Sequence, residues 1–162
     1  MTRITTALTT TVAGLAAIAL AGYAGYAYAQ QQGTHASAYS YATKGLVEFQ
    51  DAGEQWKLLL DASNLGGKEL DMAELTLPAG EVVASHHHGA VEIFYVLSGT
   101  LGHEVNGEMH MLTPGMVGVV RPEDAVRHLV PKEGAVRMLV IWAPSGEAQK
   151  FFGRAKTTPV AQ

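Results

Sequence analysis

Short apolar runs separated by turn residues make up most of the chain after residue 44. They include LVEF, QWKLLL, VEIFYVL, MVGVV and AVRMLVIW. Gly, Pro, Asn and Asp separate these runs at intervals of roughly 8–12 residues, a spacing typical of all-β sandwiches and barrels. Asn106-Gly107 lies between two such runs and predicts a type I′ hairpin, because both residues tolerate positive φ. The one helix that the pattern favours is short and covers Gly146–Phe152.

The N-terminal segment differs from the rest. After Arg3 no charged residue occurs before Lys44. A short apolar stretch from Val12 to Ala21 is followed by Ala27-Tyr28-Ala29, an A-x-A cleavage pattern. We interpret residues 1–29 as a signal peptide, so that the mature protein is exported to the periplasm or beyond, without stable membrane association. The alternative is an uncleaved anchor, since the uncharged region exceeds the roughly 20 residues that span a bilayer.

These features divide the chain into four parts. The signal peptide (1–29) is followed by a polar, flexible arm (30–43). Residues 44–146 form the predicted β-barrel domain, and residues 147–162 form a C-terminal tail.

Composition excludes several classes of function. The 162 residues include no cysteine, which rules out disulfides, iron–sulfur clusters and thiolate zinc sites. The net charge is −4, with Lys and Arg scattered along the chain. A nucleic-acid partner is therefore not expected, because such proteins carry a clustered basic surface.

The segment SHHHGAVE carries the strongest chemical signal. Imidazole and carboxylate groups are suitable ligands for divalent first-row metals. Alternate side chains of a strand share one face, so His86 and His88 point the same way and His87 points the opposite way. Glu92 can return beside them on the next strand, after a tight reversal at Gly89-Ala90-Val91.

A further ligand is expected from elsewhere, and His128 in VRHLV is the best candidate. Val126 and Val130 share its face, where an ionisable group is costly without a partner. The alternatives are a solvated cluster of histidines at the surface, or a hydrogen-bonded core histidine at position 128.

The spacing of these residues resembles the first motif of the cupin superfamily. That motif has a glycine, two histidines, a glutamate and a second glycine, here Gly80, His86, His88, Glu92 and Gly99, with every interval in place.

The second cupin motif is matched more loosely. Gly115 and Pro122 are separated by one extra residue, and Asp124 stands where glycine is expected. Arg127 occupies the histidine position, and His128 comes one residue later.

This resemblance implies an antiparallel jelly-roll barrel with one divalent transition metal, held by His86, His88, Glu92 and His128. Manganese, iron, nickel or copper fits better than zinc, which usually keeps three protein ligands in catalytic sites. The resemblance also implies a homodimer. Cupin reactions include dioxygenation, decarboxylation, isomerisation and lyase chemistry, and other members only bind a ligand.

Other polar residues are candidates for supporting roles. His103 shares a face with apolar residues and is the candidate acid/base or substrate-orienting group; the alternative is a partly buried histidine bonded to a backbone carbonyl. His110 is expected at the surface or behind the ligands. Arg121 and Arg127 are the main candidates to pair with an anionic substrate, and Arg127 should point away from the face of His128.

The strand after the histidines is apolar on both faces. Phe94 and Val96 share the face of Glu92, whereas Ile93, Tyr95 and Leu97 take the other, which would pack on a second sheet or a partner subunit. The inward face is either plain core or the wall of a pocket for a small, largely apolar substrate.

Three functions remain open. We predict a metal-dependent, dioxygenase-like oxidoreductase acting on a small organic substrate. The alternatives are a non-catalytic exported protein that binds a metal or small ligand, and a cupin lyase, isomerase or decarboxylase.

Overall fold

The computed structural model describes residues 42–161, which contain eleven β-strands and two short α-helices. The helices are α1 (Ala62–Leu65) and α2 (Ala148–Phe152), and neither is long enough to cross a membrane. The strands are β1 (Val47–Asp51), β2 (Glu54–Leu60), β3 (Asp71–Leu77), β4 (Val82–His86), β5 (Val91–Ser98), β6 (Leu101–Val105), β7 (Glu108–Leu112), β8 (Val117–Val120), β9 (Val126–Leu129), β10 (Val136–Ala143) and β11 (Thr158–Pro159). The predicted signal peptide and nearly all of the arm lie outside the described residues.

Two antiparallel sheets make up the barrel. The larger has the strand order β11-β1-β2-β3-β10-β5-β8, and the smaller has the order β4-β9-β6-β7. Their inner faces enclose one apolar core, which is the architecture of a jelly roll. The predicted all-β fold with a short C-terminal helix is therefore confirmed.

The centre of the larger sheet shows why these sequences form strands. Along β3 and β10 every second residue is buried, as expected where one face packs on the core. Val140 pairs with Ala73 and Met138 pairs with Leu75, and all four side chains are buried. The alternation therefore fixes which face of each strand lines the barrel.

The hairpin between β6 and β7 turns at the predicted position. Asn106 and Gly107 both have positive φ, 53° and 86°. The amide of Asn106 donates to Asp124 Oδ1 at 2.7 Å, and its oxygen accepts from the backbone N–H of Ala125 at 3.0 Å. This turn therefore also holds the loop that leads into β9.

The C-terminal segment returns onto the barrel. Buried Asp71, at the start of β3, accepts hydrogen bonds from Ser145 Oγ and from the backbone N–H groups of Gly146 and Ala148. These bonds fix the start of α2, and β11 then pairs with β1 at the sheet edge. Much of the segment predicted as a tail thus packs on the domain.

The outer face of the larger sheet is apolar near its β8 edge. Val117 and Val119 of β8 and Tyr95 of β5 are all exposed. They are neighbours, because Tyr95 pairs with Val117 and Ile93 pairs with Val119. The outward face expected for Ile93 and Tyr95 is therefore in contact with solvent in this single chain.

Candidate metal centre

A β-bulge in β4 brings its histidine onto the inner face. Val83 pairs with His128, but His86 pairs with Val126, so β4 advances three residues where β9 advances two. The extra residue reverses which side chains point inward, as bulges do. His86 consequently faces the same side as His128.

The other two residues of the triplet lie beyond the end of β4. His87 is exposed, whereas His88 is buried. The sequence predicted alternation along a single strand; the structure gives the same inward and outward directions, but His88 belongs to the loop between β4 and β5. The expectation that His87 points away from its neighbours agrees with this geometry.

Three polar side chains meet at one point inside the barrel. His86 Nε2 lies 3.0 Å from His88 Nε2, and His88 Nε2 lies 2.9 Å from Glu92 Oε2. The indole N–H of Trp142 donates to Glu92 Oε1 at 2.7 Å. This bond orients the carboxylate, so that Oε2 faces the histidines.

His128 approaches the same point from β9. Its ring centre lies 6.1 Å from that of His86 and 4.7 Å from that of Phe94. In the turn before β9, Asp124 Oδ2 accepts from the backbone N–H of Arg121 at 2.9 Å. In the resulting register His128 pairs with His103 and faces inward.

The hydrogen bonds of His86 define its tautomer. Nδ1 lies 2.8 Å from the carbonyl oxygen of Ala84, which can only accept, so Nδ1 carries the proton and donates it. In the neutral ring Nε2 then carries a lone pair, which is directed toward His88. Histidines that bind metals commonly hold their second nitrogen on a carbonyl in this way.

Burial acts to lower the pKa of both other histidines, but this effect prevails only at His128. Burial lowers the pKa of His128 to about 3, with further contributions from His103, His86 and His88. Burial also acts to lower the pKa of His88, but hydrogen bonding and the charges of Glu92 and Glu147 outweigh it and raise that pKa. His128 is therefore a neutral donor of a lone pair at physiological pH.

The four side chains have the donor set of a transition-metal site. Two donors in adjacent corners of an octahedron lie about 3.0 Å apart when each is about 2.1 Å from the ion. The contacts of His88 with His86 and Glu92 have this spacing. Among residues 42–161, no group of three or more His, Cys, Asp or Glu side chains meets the distances expected around a bound metal ion.

Unpartnered polar atoms support the same interpretation. Within the described residues, both ring nitrogens of His128 are buried without a hydrogen-bond partner. Such atoms are costly inside a protein unless something binds them. His86, His88, Glu92 and His128 therefore fit a bound cation.

The four residues line a cavity of about 380 Å³. Its wall is aromatic on one side, where Trp56 stacks on Phe151 with ring centres 5.2 Å apart. Phe49 and Phe94 also line it. The cavity therefore presents a largely apolar surface to whatever approaches the polar cluster.

His103 and His110 do not line the cavity that contains the four candidate ligands. The ring of His103 stacks on His128 with centres 5.3 Å apart and an interplanar angle of 16°, and burial lowers its pKa. Its ring lines a separate cleft of about 510 Å³, together with exposed His110. The catalytic role of His103 stays a prediction, and its contact with the site is through His128.

The basic residues near the cavity are different from those expected. Arg127 points outward and pairs with Glu104 at 3.4 Å, and Arg121 lines the cleft of His103. Lys150 and Arg154, from α2 and the residues after it, line the cavity instead. The sequence offered no signal for this placement beyond the amphipathic character of the segment GEAQKFFGR.

Glu147 is the other residue that the sequence did not reveal. Its side chain is buried, and its Oε1 accepts from the backbone N–H of Gly89 and from Lys150 Nζ. Burial acts to raise its pKa, but the bonds from Lys150 and Gly89 outweigh it and lower that pKa. A charged carboxylate therefore lies behind the histidine loop.

The fold is that of a small cupin barrel. Residues 73–142 match the cupin domain family, in agreement with the resemblance of the first motif. No protein of curated function matches the sequence.

Solved structures agree on the fold. KdgF from Halomonas sp. is 19% identical with a TM-score of 0.55, the match covering 64% of this chain and 91% of that one. An RmlC-like cupin from Shewanella frigidimarina is 19% identical with a TM-score of 0.56, covering 70% and 96%. Ectoine synthase from P. lautus is 19% identical with a TM-score of 0.57, covering 70% and 80%. The names of these neighbours differ, so the shared fold does not select a reaction.

Proposed function

We propose that this protein is a mononuclear metal-dependent oxidoreductase, dioxygenase-like in its chemistry, that acts on a small organic substrate. The observation that carries the proposal is the convergence of His86, His88, Glu92 and His128 in the lining of a largely apolar cavity. Three imidazoles and one carboxylate suit a divalent transition metal.

The protein residues prepare the site before anything binds. The carbonyl of Ala84 holds His86 in the tautomer whose Nε2 is free, and Trp142 turns Glu92 toward the histidines. When bound, a six-coordinate ion with four protein ligands would supply Lewis-acid or redox chemistry at its remaining positions. Manganese, iron, nickel or copper fits this donor number better than zinc.

The walls of the cavity favour an apolar or aromatic substrate. Phe49, Trp56, Phe94 and Phe151 would exclude water from the reacting groups and contact a flat ring. Lys150 and Arg154 offer positive charge, and Asp51 and Glu54 offer negative charge in the same lining. We therefore infer a substrate with an apolar body and a small polar group that reaches the metal.

Oxygen consumption tests the proposal. The protein is prepared without metal, loaded anaerobically with Fe²⁺ or Mn²⁺, and mixed with phenolic and diketone compounds before oxygen is admitted. We expect substrate-dependent oxygen uptake that the Glu92→Ala variant lacks, and His87→Ala serves as the matched control. Turnover that proceeds equally without oxygen would instead establish lyase, isomerase or decarboxylase chemistry. Thermal stabilisation by a compound, with no product under any condition, would establish a binding protein.

We also propose that the chain is exported, with residues 1–29 removed. The support is the small-residue pattern at Ala27-Tyr28-Ala29 after an apolar stretch. Mass spectrometry of the protein expressed with its own N-terminus tests this: a mature chain beginning at Gln30 is expected, and an intact N-terminus would refute cleavage.

A further inference from the structure

The C-terminal helix places a buried carboxylate beside the histidine loop. Glu147, the residue before α2, is 4% exposed. Its Oε1 accepts from the backbone N–H of Gly89 at 2.5 Å and from Lys150 Nζ at 2.6 Å. Its Oε2 has no hydrogen-bond partner among the described residues and lies 3.8 Å from His88 Nδ1. One carboxylate thus contacts the loop backbone and faces a ligand histidine.

The position of this carboxylate is held from outside the metal centre. Asp71 binds the backbone N–H groups of Gly146 and Ala148 and the hydroxyl of Ser145, which fixes the residues on both sides of Glu147. Ala148 and Phe152 are buried against the barrel. The backbone on both sides of Glu147 is therefore held by hydrogen bonds to Asp71.

The proton of His88 explains why such a group is needed. Nε2 of His88 lies 2.9 Å from Glu92 Oε2, a contact that places a proton between them. If Nε2 is to donate its lone pair to a cation, the neutral ring must carry its proton on Nδ1. In a buried site that N–H requires an acceptor, and Glu147 Oε2 is the carboxylate oxygen facing it.

We propose that Glu147 is a positioning residue for the metal centre: it accepts the Nδ1–H of His88 and so presents Nε2 to the ion. This inference rests on the proposed metal site. It makes α2 part of that site, because the same carboxylate also holds Gly89, next to His88. The separation of 3.8 Å between His88 Nδ1 and Glu147 Oε2 must shorten to hydrogen-bond length for this contact to form.

Cobalt binding tests this role. Co²⁺ affinity is measured by competition with a chelator for the wild type, Glu147→Ala and Glu147→Gln. Removal of the group that orients a metal-binding histidine weakens metal affinity by about 10- to 100-fold. We expect a loss of that size for Glu147→Ala and a smaller loss for Glu147→Gln, which keeps one acceptor oxygen and guards against misfolding of the alanine variant.

A spectroscopic readout separates positioning from simple packing. In the Co²⁺ protein, the Nδ1–H protons of the bound histidines give shifted, exchangeable proton NMR signals. We expect one of these signals, assigned to His88, to be lost through fast exchange with water in Glu147→Ala. Ser145→Ala removes a bond that holds the helix without touching His88, and Lys150→Ala removes the other side-chain partner of Glu147; both should keep the signal.

The outcomes are distinct. Wild-type affinity together with an unchanged set of exchangeable signals in Glu147→Ala would overturn the positioning role while leaving the metal site intact. An equal loss in Ser145→Ala would also overturn it, because helix packing would then account for the effect. If the wild type itself binds no Co²⁺, both the proposed function and this inference fail.

Discussion

Replacing His128 by leucine should stabilise the metal-free protein while removing a proposed metal ligand. The side chain of His128 is 4% exposed, and neither of its ring nitrogens has a hydrogen-bond partner among residues 42–161. Its surroundings include the ring of Phe94, 4.7 Å away between centres, so an apolar side chain of similar size can be accommodated. Leucine leaves no polar atom unpaired at this position.

The expected rise in the free energy of unfolding at neutral pH follows from the removal of these unpaired ring nitrogens. A buried donor or acceptor left without a partner costs about 1–3 kcal/mol, and we expect the free energy of unfolding to rise by that amount. The native residue thus lowers stability in the absence of an ion, as residues kept for binding often do.

The difference in stability between the leucine variant and the wild type should grow as the pH falls. The pKa of His128 is lowered from 6.5 to about 3 by burial, followed by the nearby His103, His86 and His88. Between these values the unfolded chain binds a proton at this residue and the folded chain does not, so the stability of the wild type falls as the pH falls. A pH of about 4.5 lies two units below the unfolded-state pKa of 6.5. At that pH the stability of the wild type is therefore lower by about 3 kcal/mol. The leucine variant has no titrating group at this position. Its stability relative to the wild type should therefore increase by that amount between pH 7 and about pH 4.5.

Urea unfolding followed by tryptophan fluorescence, in the presence of a chelator, measures both quantities. The difference between variant and wild type is the readout, because the raised pKa of His88 makes its own contribution of opposite sign to the wild-type profile. His87→Ala, which removes an exposed histidine next to the site, should match the wild type. A leucine variant less stable than the wild type at pH 7, or a difference that does not change with pH, would refute the reasoning.

Three further predictions concern the surroundings of the site. Trp142→Phe removes the hydrogen bond to buried Glu92 and should lower the free energy of unfolding in urea by about 1–3 kcal/mol; an unchanged midpoint and slope would show that the bond contributes nothing. Asn106→Ala removes two side-chain hydrogen bonds and places alanine at positive φ, so thermal unfolding should show a loss of about 1–3 kcal/mol, whereas Asn106→Gly should lose less because glycine accepts that φ. Val119→Glu puts a charge on the exposed apolar face. If the predicted homodimer uses this face, light scattering should show a dimer for the wild type and a monomer for the variant. Equal masses for the two proteins would exclude this face as the interface.

The sequence was sufficient for the parts of the structure that depend on local pattern. Alternating apolar residues and turn residues predicted the strands, and Asn106-Gly107 predicted its hairpin, because these signals act over a few neighbouring positions. The directions of His86, His87 and His88 also followed from alternation, although His88 lies beyond the strand. The β4 bulge was not predicted, since an extra residue appears only when the partner strand is known.

Residues that reach the site across long sequence distances were missed. Glu147 contacts Gly89 from 58 positions away, and Trp142 binds Glu92 from 50 positions away. Neither contact has a periodic signature, because each depends on how the C-terminal part of the chain packs on the barrel. The basic residues of the cavity were missed for the same reason.

Metal stoichiometry tests the central claim most directly. The protein purified from its native compartment is analysed for bound elements, and alanine variants of His86, His88, Glu92 and His128 are compared with His87→Ala. We expect about one transition-metal ion per chain in the wild type and in His87→Ala, and a loss of stoichiometric binding in the other four variants. A wild-type protein without bound metal that also fails to take up Mn²⁺, Fe²⁺, Ni²⁺ or Cu²⁺, or an equal loss in all five variants, would contradict the account.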